Sequence, residues 1–177
     1  KPVPVEMRSR LLVVALCNGA LHFGFNFWAI AAAGDISSVA ISLQSYIPMT
    51  ALLAWWLLGE RPTRSAALGI AIAFSGVVLL GFDPLVLDAP KALGLSLIAA
   101  AWLALGTTLL RTLKGMHTFQ LQAWTAAISI PPLLVAACFS APMSWSLIAD
   151  ASWLDWSGVL YSAVAASLVG HGLLFVL

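Results

Sequence analysis

The sequence predicts an all-α integral membrane protein, a helical bundle of about six spans, and three observations carry that expectation. Hydrophobic residues make up 62% of the 177 and charged residues 8%, against the roughly one quarter charged that is usual in soluble domains. The few charges bound six apolar windows, each close to the ~20 residues that a helix needs to cross a bilayer core of about 30 Å. The windows are continuous runs, whereas strands of a transmembrane barrel would be about ten residues long and would alternate apolar with polar.

The first span is placed at residues 11–32, behind Lys1, Arg8 and Arg10. Within it Asn18, His22 and Asn26 recur at i, i+4 and i+8 and form a polar ladder on one helix face. Polar groups are costly in hydrocarbon, so this face is expected to look into the bundle rather than at lipid. The second span, 36–58, sets Ser38, Ser42, Ser45 and Met49 along one face, with Tyr46 and Thr50 to one side of it. Pro48 is expected to kink this helix and to free the carbonyl of Gln44, four residues earlier. The span then gives way to Glu60-Arg61-Pro62-Thr63-Arg64, a short turn in which Pro62 is expected to stop one helix and let the next begin.

The third span, 65–82, is patterned on Gly69 and Gly76. The fourth, 92–110, carries Trp102 at mid-span with Gly106 one turn later. The fifth, 118–140, holds Gln120, Gln122 and Trp124 near its start, and Pro131-Pro132 are expected to kink it. The sixth, 157–177, contains His171. His22 and His171 are the side chains well inside a span that can carry charge near neutral pH. Trp55 and Trp56 suit one headgroup boundary, and Trp145, Trp153 and Trp156 the other. Cys17 and Cys138 fall inside spans and have no metal-ligand spacing, so they read as small apolar packing residues rather than a disulfide framework.

Loop charges set the topology. Lys1, Arg8 and Arg10 precede the first span, Arg61 and Arg64 follow the second, and Arg111 and Lys114 follow the fourth. The intervening connections hold Asp35, then Asp83, Asp88 and Lys91, then Asp150 and Asp155, so one of the eight basic residues lies on their side. By the positive-inside rule, 1–10, 59–64 and 111–117 face the cytoplasm and the other loops face outward. The net charge of +1 hides this asymmetry. With no basic patch beyond the loop ends, no nucleic-acid partner is expected.

The run AISLQSYIPMTALLAWWLLGER from Ala40, followed by ALGIAIAFSGVVLLGFDP, resembles the EamA family of the drug/metabolite transporter superfamily. The parts come in order: a polar helix containing Pro, a Gly-Glu-Arg end, and a following helix patterned on Gly69, Gly76 and Val77-Val78-Leu79-Leu80. AAAWLALGTTLLRTL is similar to the opening helix of the family's second repeat, with Trp102 and Arg111 in place. The resemblance implies a ten-helix transporter of two inverted five-helix repeats around a central substrate cavity. On that mapping 1–84 hold the last three helices of the first repeat and 85–177 the first three of the second. Two helices are then expected before Lys1 and two after Leu177. Placing LCNGALHFGF over AASLVGHGLL sets His22 against His171 and Asn18 against Ser167, in spans to which the charge rule gives opposite directions.

Function follows from that resemblance and from the polar residues. A secondary transporter exporting small metabolites by alternating access is implied, in a bacterial inner (plasma) membrane. Its partners would be a small-molecule substrate and the lipid bilayer. With no carboxylate inside a span, neutral, zwitterionic or aromatic compounds fit best, and amino acids come first. His22, Asn26, Ser42, Tyr46, Trp102 and His171 are the candidate substrate-binding residues; each is also open to a bland reading, as interhelical hydrogen-bonding or packing groups. No P-loop, acidic pair or metal-spaced cluster is present, so no cofactor, metal or covalent chemistry is expected. A membrane-embedded enzyme or binding subunit using the two histidines is the rival.

Overall fold

A computed structural model describes residues 3–80, 82–113, 115–140 and 148–170. Helices account for the secondary structure of these residues, with no strand among them. The first span is one continuous helical rod of 28 residues, Val5–Ala32, built from α1 (Val5–Ala15), a π-helical turn (Leu16–Leu21) and α2 (His22–Ala32). The second comprises α3 (Ile36–Leu43) and α4 (Tyr46–Leu58), followed by α5 (Arg64–Leu80) and the short α6 (Pro84–Leu87). The fourth span is α7 (Pro90–Leu110) and the fifth α8 (Thr118–Ser140); α9 (Trp153–Leu160) then runs into a second π-helical stretch, Tyr161–Gly170.

Local chemistry explains these boundaries. Asp35 caps α3 by accepting from the Ser38 N–H at 3.1 Å, while the Ser38 hydroxyl donates back to the Asp35 carbonyl at 2.8 Å. Such caps satisfy donors that a helix start leaves open. Pro90 occupies the first turn of α7, where its missing N–H costs nothing. The second span ends differently from the sequence expectation. Gly59 adopts the left-handed conformation at φ 72°, the Gly59 N–H bonds Trp55 O at 3.1 Å, and the Glu60 N–H bonds Ala54 O at 3.3 Å. That glycine-dependent motif stops α4 before Pro62 is reached.

Pro48 acts upstream. The span breaks at Gln44 and Ser45, between α3 and α4, and the Ile47 N–H reaches the Gln44 carbonyl at 3.1 Å. The carbonyl expected to be free is therefore taken by a tighter, three-residue turn. Pro131 and Pro132, by contrast, lie inside a helix that continues unbroken from Thr118 to Ser140.

Among the described residues four helical stretches are long and apolar enough to cross a membrane: Val5–Ala32, Ile36–Leu58, Pro90–Leu110 and Phe119–Phe139. Helix α5 has 17 residues, about 25 Å and near the lower limit for a span. The expected sixth span runs beyond the described residues. The whole is a membrane helical bundle.

Helix α7 is the hub. It packs against α1, the π turn, α2, α3 and α4, while α8 lies against α1 and the π turn, and α5 against α3 and α4. The buried residues of α7 are Ala92, Ser96, Ala99, Ala100, Ala104, Gly106 and Thr108. None is large, so neighbouring backbones approach closely, and van der Waals contact replaces the hydrophobic drive that lipid removes. Trp55, Trp56, Trp153 and Trp156 stand exposed on the outer surface, in keeping with boundary positions; Trp145 lies outside the described residues. Cys17 is buried as expected, but Cys138, two residues from the end of α8, is exposed.

Candidate functional site

Apolar clusters close the two ends of the bundle. Val3, Leu11, Val14 and Leu113 pack together at one end, with Met7, Leu109, Met116 and Leu121 around them. Ala29, Val39 and Ala92 form the other, beside Ala33 and Ala89. The Glu60 carboxylate pairs with Arg111 across the ends of the second and fourth spans. Loops 59–64 and 111–117 therefore share the end at which the chain begins, and 33–36 and 87–91 share the opposite one. Between the clusters lies a polar layer.

His22 sits in that layer, 6% exposed, with Nδ1 3.1 Å from the Ala99 carbonyl at the middle of α7. A carbonyl can only accept, so Nδ1 carries the proton and Nε2 is left as an acceptor in the neutral ring. The ring meets Phe23 edge-on at 4.9 Å. Asn18 lies one turn away against Gly106: a Cβ there would overlap the Asn18 amide and stand 3.0 Å from Cys17 Cβ. Glycine at 106 thus makes room for the ladder. The amide oxygens of Asn18 and Asn26 and the hydroxyl of Ser45 are buried without hydrogen-bond partners. Most buried polar atoms in native proteins find a partner, so each of these three is a place that calls for a water or a solute.

The backbone is unusual at the same place. The His22 N–H bonds Cys17 O, five residues back, in the π turn that holds Asn18. Such turns are rare and occur disproportionately at functional sites. The second π-helical stretch includes 165–170, the segment that the sequence comparison sets over 16–21.

Ser42 is fully buried, and its hydroxyl lies 2.6 Å from that of Ser96. The space beside it, lined by Ser38, Val39, Ala89 and Ala92 among others, is about 10 Å³, room for one water at most. In this arrangement Ser42 fastens α3 to α7. Tyr46 is half-buried at the start of α4, and its carbonyl accepts from Thr50 Oγ1 at 2.7 Å. Trp102 is half-buried and lies about one turn from both Ala99 and Gly106, the residues against which His22 and Asn18 rest. His171 lies outside the described residues, so its convergence with His22 is not seen.

Sequence reasoning passed over Ser96, Thr108 and Ser129. Thr108 donates to its own helix at Ala104 O, 2.8 Å away, and lies 3.4 Å from Thr50 O on α4. Ser96, Ala100, Ala104 and Thr108 recur every four residues, a small-residue stripe that could have marked the seam. Gln122, Thr125 and Ser129 likewise recur at i, i+3 and i+7 on α8, a polar face that could have pointed to Ser129. Among the described residues no cluster of His, Cys, Asp or Glu is placed to hold a metal.

Residues 1–82 match the family model described as the EamA-like transporter family. No curated protein and no solved structure matches the chain.

Proposed function

From the match of residues 1–82 to the model of the EamA-like transporter family, we propose that this integral membrane protein is a secondary transporter of small metabolites, with neutral and aromatic amino acids as the first substrate class. The observation that carries the site is the row of uncommitted acceptors on one face of the first span. These are the buried amide oxygens of Asn18 and Asn26 and, between them, His22 Nε2, left open by the bond from Nδ1 to Ala99. Successive members stand about 6 Å apart along the axis. A primary ammonium group, rich in N–H donors, suits uncharged acceptors of this kind, and a zwitterion brings its own counter-charge into a layer without carboxylates. Trp102 flanks the row and supplies an apolar surface. Tyr46 extends the wall, and Ser42 stands with helix packing.

On this reading 1–84 are the closing helices of one repeat and 85–177 the opening helices of its inverted partner, with His171 meeting His22 across the cavity. The matching π-helical stretches support that relation. The arrangement belongs in a bacterial inner membrane with loops 59–64 and 111–117 cytoplasmic, and alternating access would move one repeat against the other.

The test is a flux screen of the intact protein in proteoliposomes with labelled amino acids, with and without a pH gradient. His22→Ala is expected to raise the half-saturating concentration while assembly persists. Trp102→Ala is expected to weaken aromatic substrates about two- to tenfold more than small aliphatic ones, the worth of an aromatic contact. Absence of saturable flux for every amino acid would remove the substrate class.

A further inference from the structure

The polar ladder is carried on a π turn that a second helix braces. In a regular helix the Ala15 carbonyl would accept from the N–H of Gly19, four residues on. The π turn starts at Leu16 and moves bonding to five-residue spacing, as the His22 N–H to Cys17 O bond shows. Such departures persist where a side chain enters the ladder. Here it comes from α8: Ser129 Oγ donates to the Ala15 carbonyl at 3.2 Å, across 114 residues of sequence. Ser129 is 5% exposed, so no bulk water substitutes for this bond.

Gly19 makes the approach possible. A Cβ at 19 would overlap Ser129 Oγ, stand 2.7 Å from Ser129 Cβ and 3.3 Å from Thr125 Cγ2. The turn is also pinned on either side, by Leu11 and Val14 in the cluster at one end and by Ala29 at the other. The surplus residue of the turn therefore cannot slide away along the rod, because sliding would carry the bulky Trp28 or Ile30 towards the fully buried place of Ala29. It has to be held where it is.

We infer that Ser129 is a positioning residue for the Asn18–His22–Asn26 face: it holds the π turn open from α8, with Gly19 as its socket, and so fixes where Asn18 and His22 present their polar atoms. Its relevance to transport rests on the reading of that face as substrate-facing, but its test needs no substrate.

Hydrogen exchange of the intact protein in detergent, followed by mass spectrometry, reads the turn directly. In Ser129→Ala, amides of 16–22 are expected to exchange about fivefold faster, the worth of one net hydrogen bond, while those of α4 and α7 keep their rates. Gly19→Ala, which expels Ser129 from the opposite side, is expected to give the same local pattern, and Ser129→Thr, which keeps the hydroxyl, to preserve the native rates. In nitrogen-15 spectra the His22 imidazole, assigned with His22→Gln, should broaden or shift in Ser129→Ala while His117 does not. Unchanged exchange over 16–22, equal acceleration throughout the protein, or a Thr variant that behaves like the Ala variant would overturn the inference. Loss of the substrate reading alone would appear as absent amino-acid flux with the localised exchange response intact.

Discussion

The contact between Ser42 and Ser96 decides whether the second span's hydroxyl face serves packing or substrate, and its energy can be worked from the structure. Each hydroxyl has a carbonyl on its own helix within reach, Val39 O at 3.0 Å for Ser42 and Leu93 O at 2.9 Å for Ser96. The two hydroxyls lie 2.6 Å apart, with two protons for three acceptor positions. One proton therefore crosses between helices and the other turns back to its own carbonyl. Replacing either serine by alanine removes the crossing bond but leaves the survivor a partner, so the roughly 1–3 kcal/mol penalty of a buried orphan does not arise. Each single variant should cost about 0.6–1.7 kcal/mol, the range for interhelical hydrogen bonds in membranes. The double variant should cost little more than either single one, giving a coupling of about 0.5–1.5 kcal/mol. Reversible unfolding in mixed detergent and SDS micelles measures the cycle. Additive single costs would refute the shared bond. A Ser42→Ala variant with native stability but a several-fold change in half-saturating concentration would return Ser42 to the cavity wall.

Three further outcomes are expected. Gly106→Ala should destabilise the bundle by about 1–3 kcal/mol, as overpacking does, since Asn18 can rotate aside but Cys17 Cβ, 3.0 Å from the new methyl, is carried on the backbone; a thermal melt in detergent would show it. Single cysteines at 64 and 88 in a cysteine-free background should react with an impermeant thiol reagent from opposite sides of the membrane, and same-side labelling would break the alternating topology. At the start of α9, Ser152 and Asp155 form a reciprocal cap, and the bonds from the Ser152 side chain and backbone hold the exposed Asp155 carboxyl below its ordinary value of 3.8. A depressed folded-state value means that the cap's contribution is present above about pH 4 and is lost as pH falls through the lowered value. Amide exchange over 153–156, corrected for intrinsic rates, should therefore rise only on acidification, and Asp155→Asn should abolish that dependence.

What the sequence determined by itself was the class of the molecule and which of its loops share an end. Span length and the scarcity of charge follow from bilayer thickness and the cost of burying ions, which act on each segment regardless of its neighbours. The shared end of loops 59–64 and 111–117 was legible for the same reason, and the pairing of Glu60 with Arg111 bears it out. Helical spacing likewise put Asn18, His22 and Asn26 on one face before any partner was known. Tertiary structure alone decided what that face meets. Ala99 offers its carbonyl to His22 and Gly106 its missing side chain to Asn18, and neither contribution has a signature in an apolar run. Ser42 and Ser129 make the point most sharply: both are serines in predicted spans, yet one shares its proton with a neighbouring helix and the other holds a displaced carbonyl 114 residues away. A hydroxyl's role is set by which acceptor it faces, and that is fixed by the packing of α7 and α8 against the first two spans, not by local propensity.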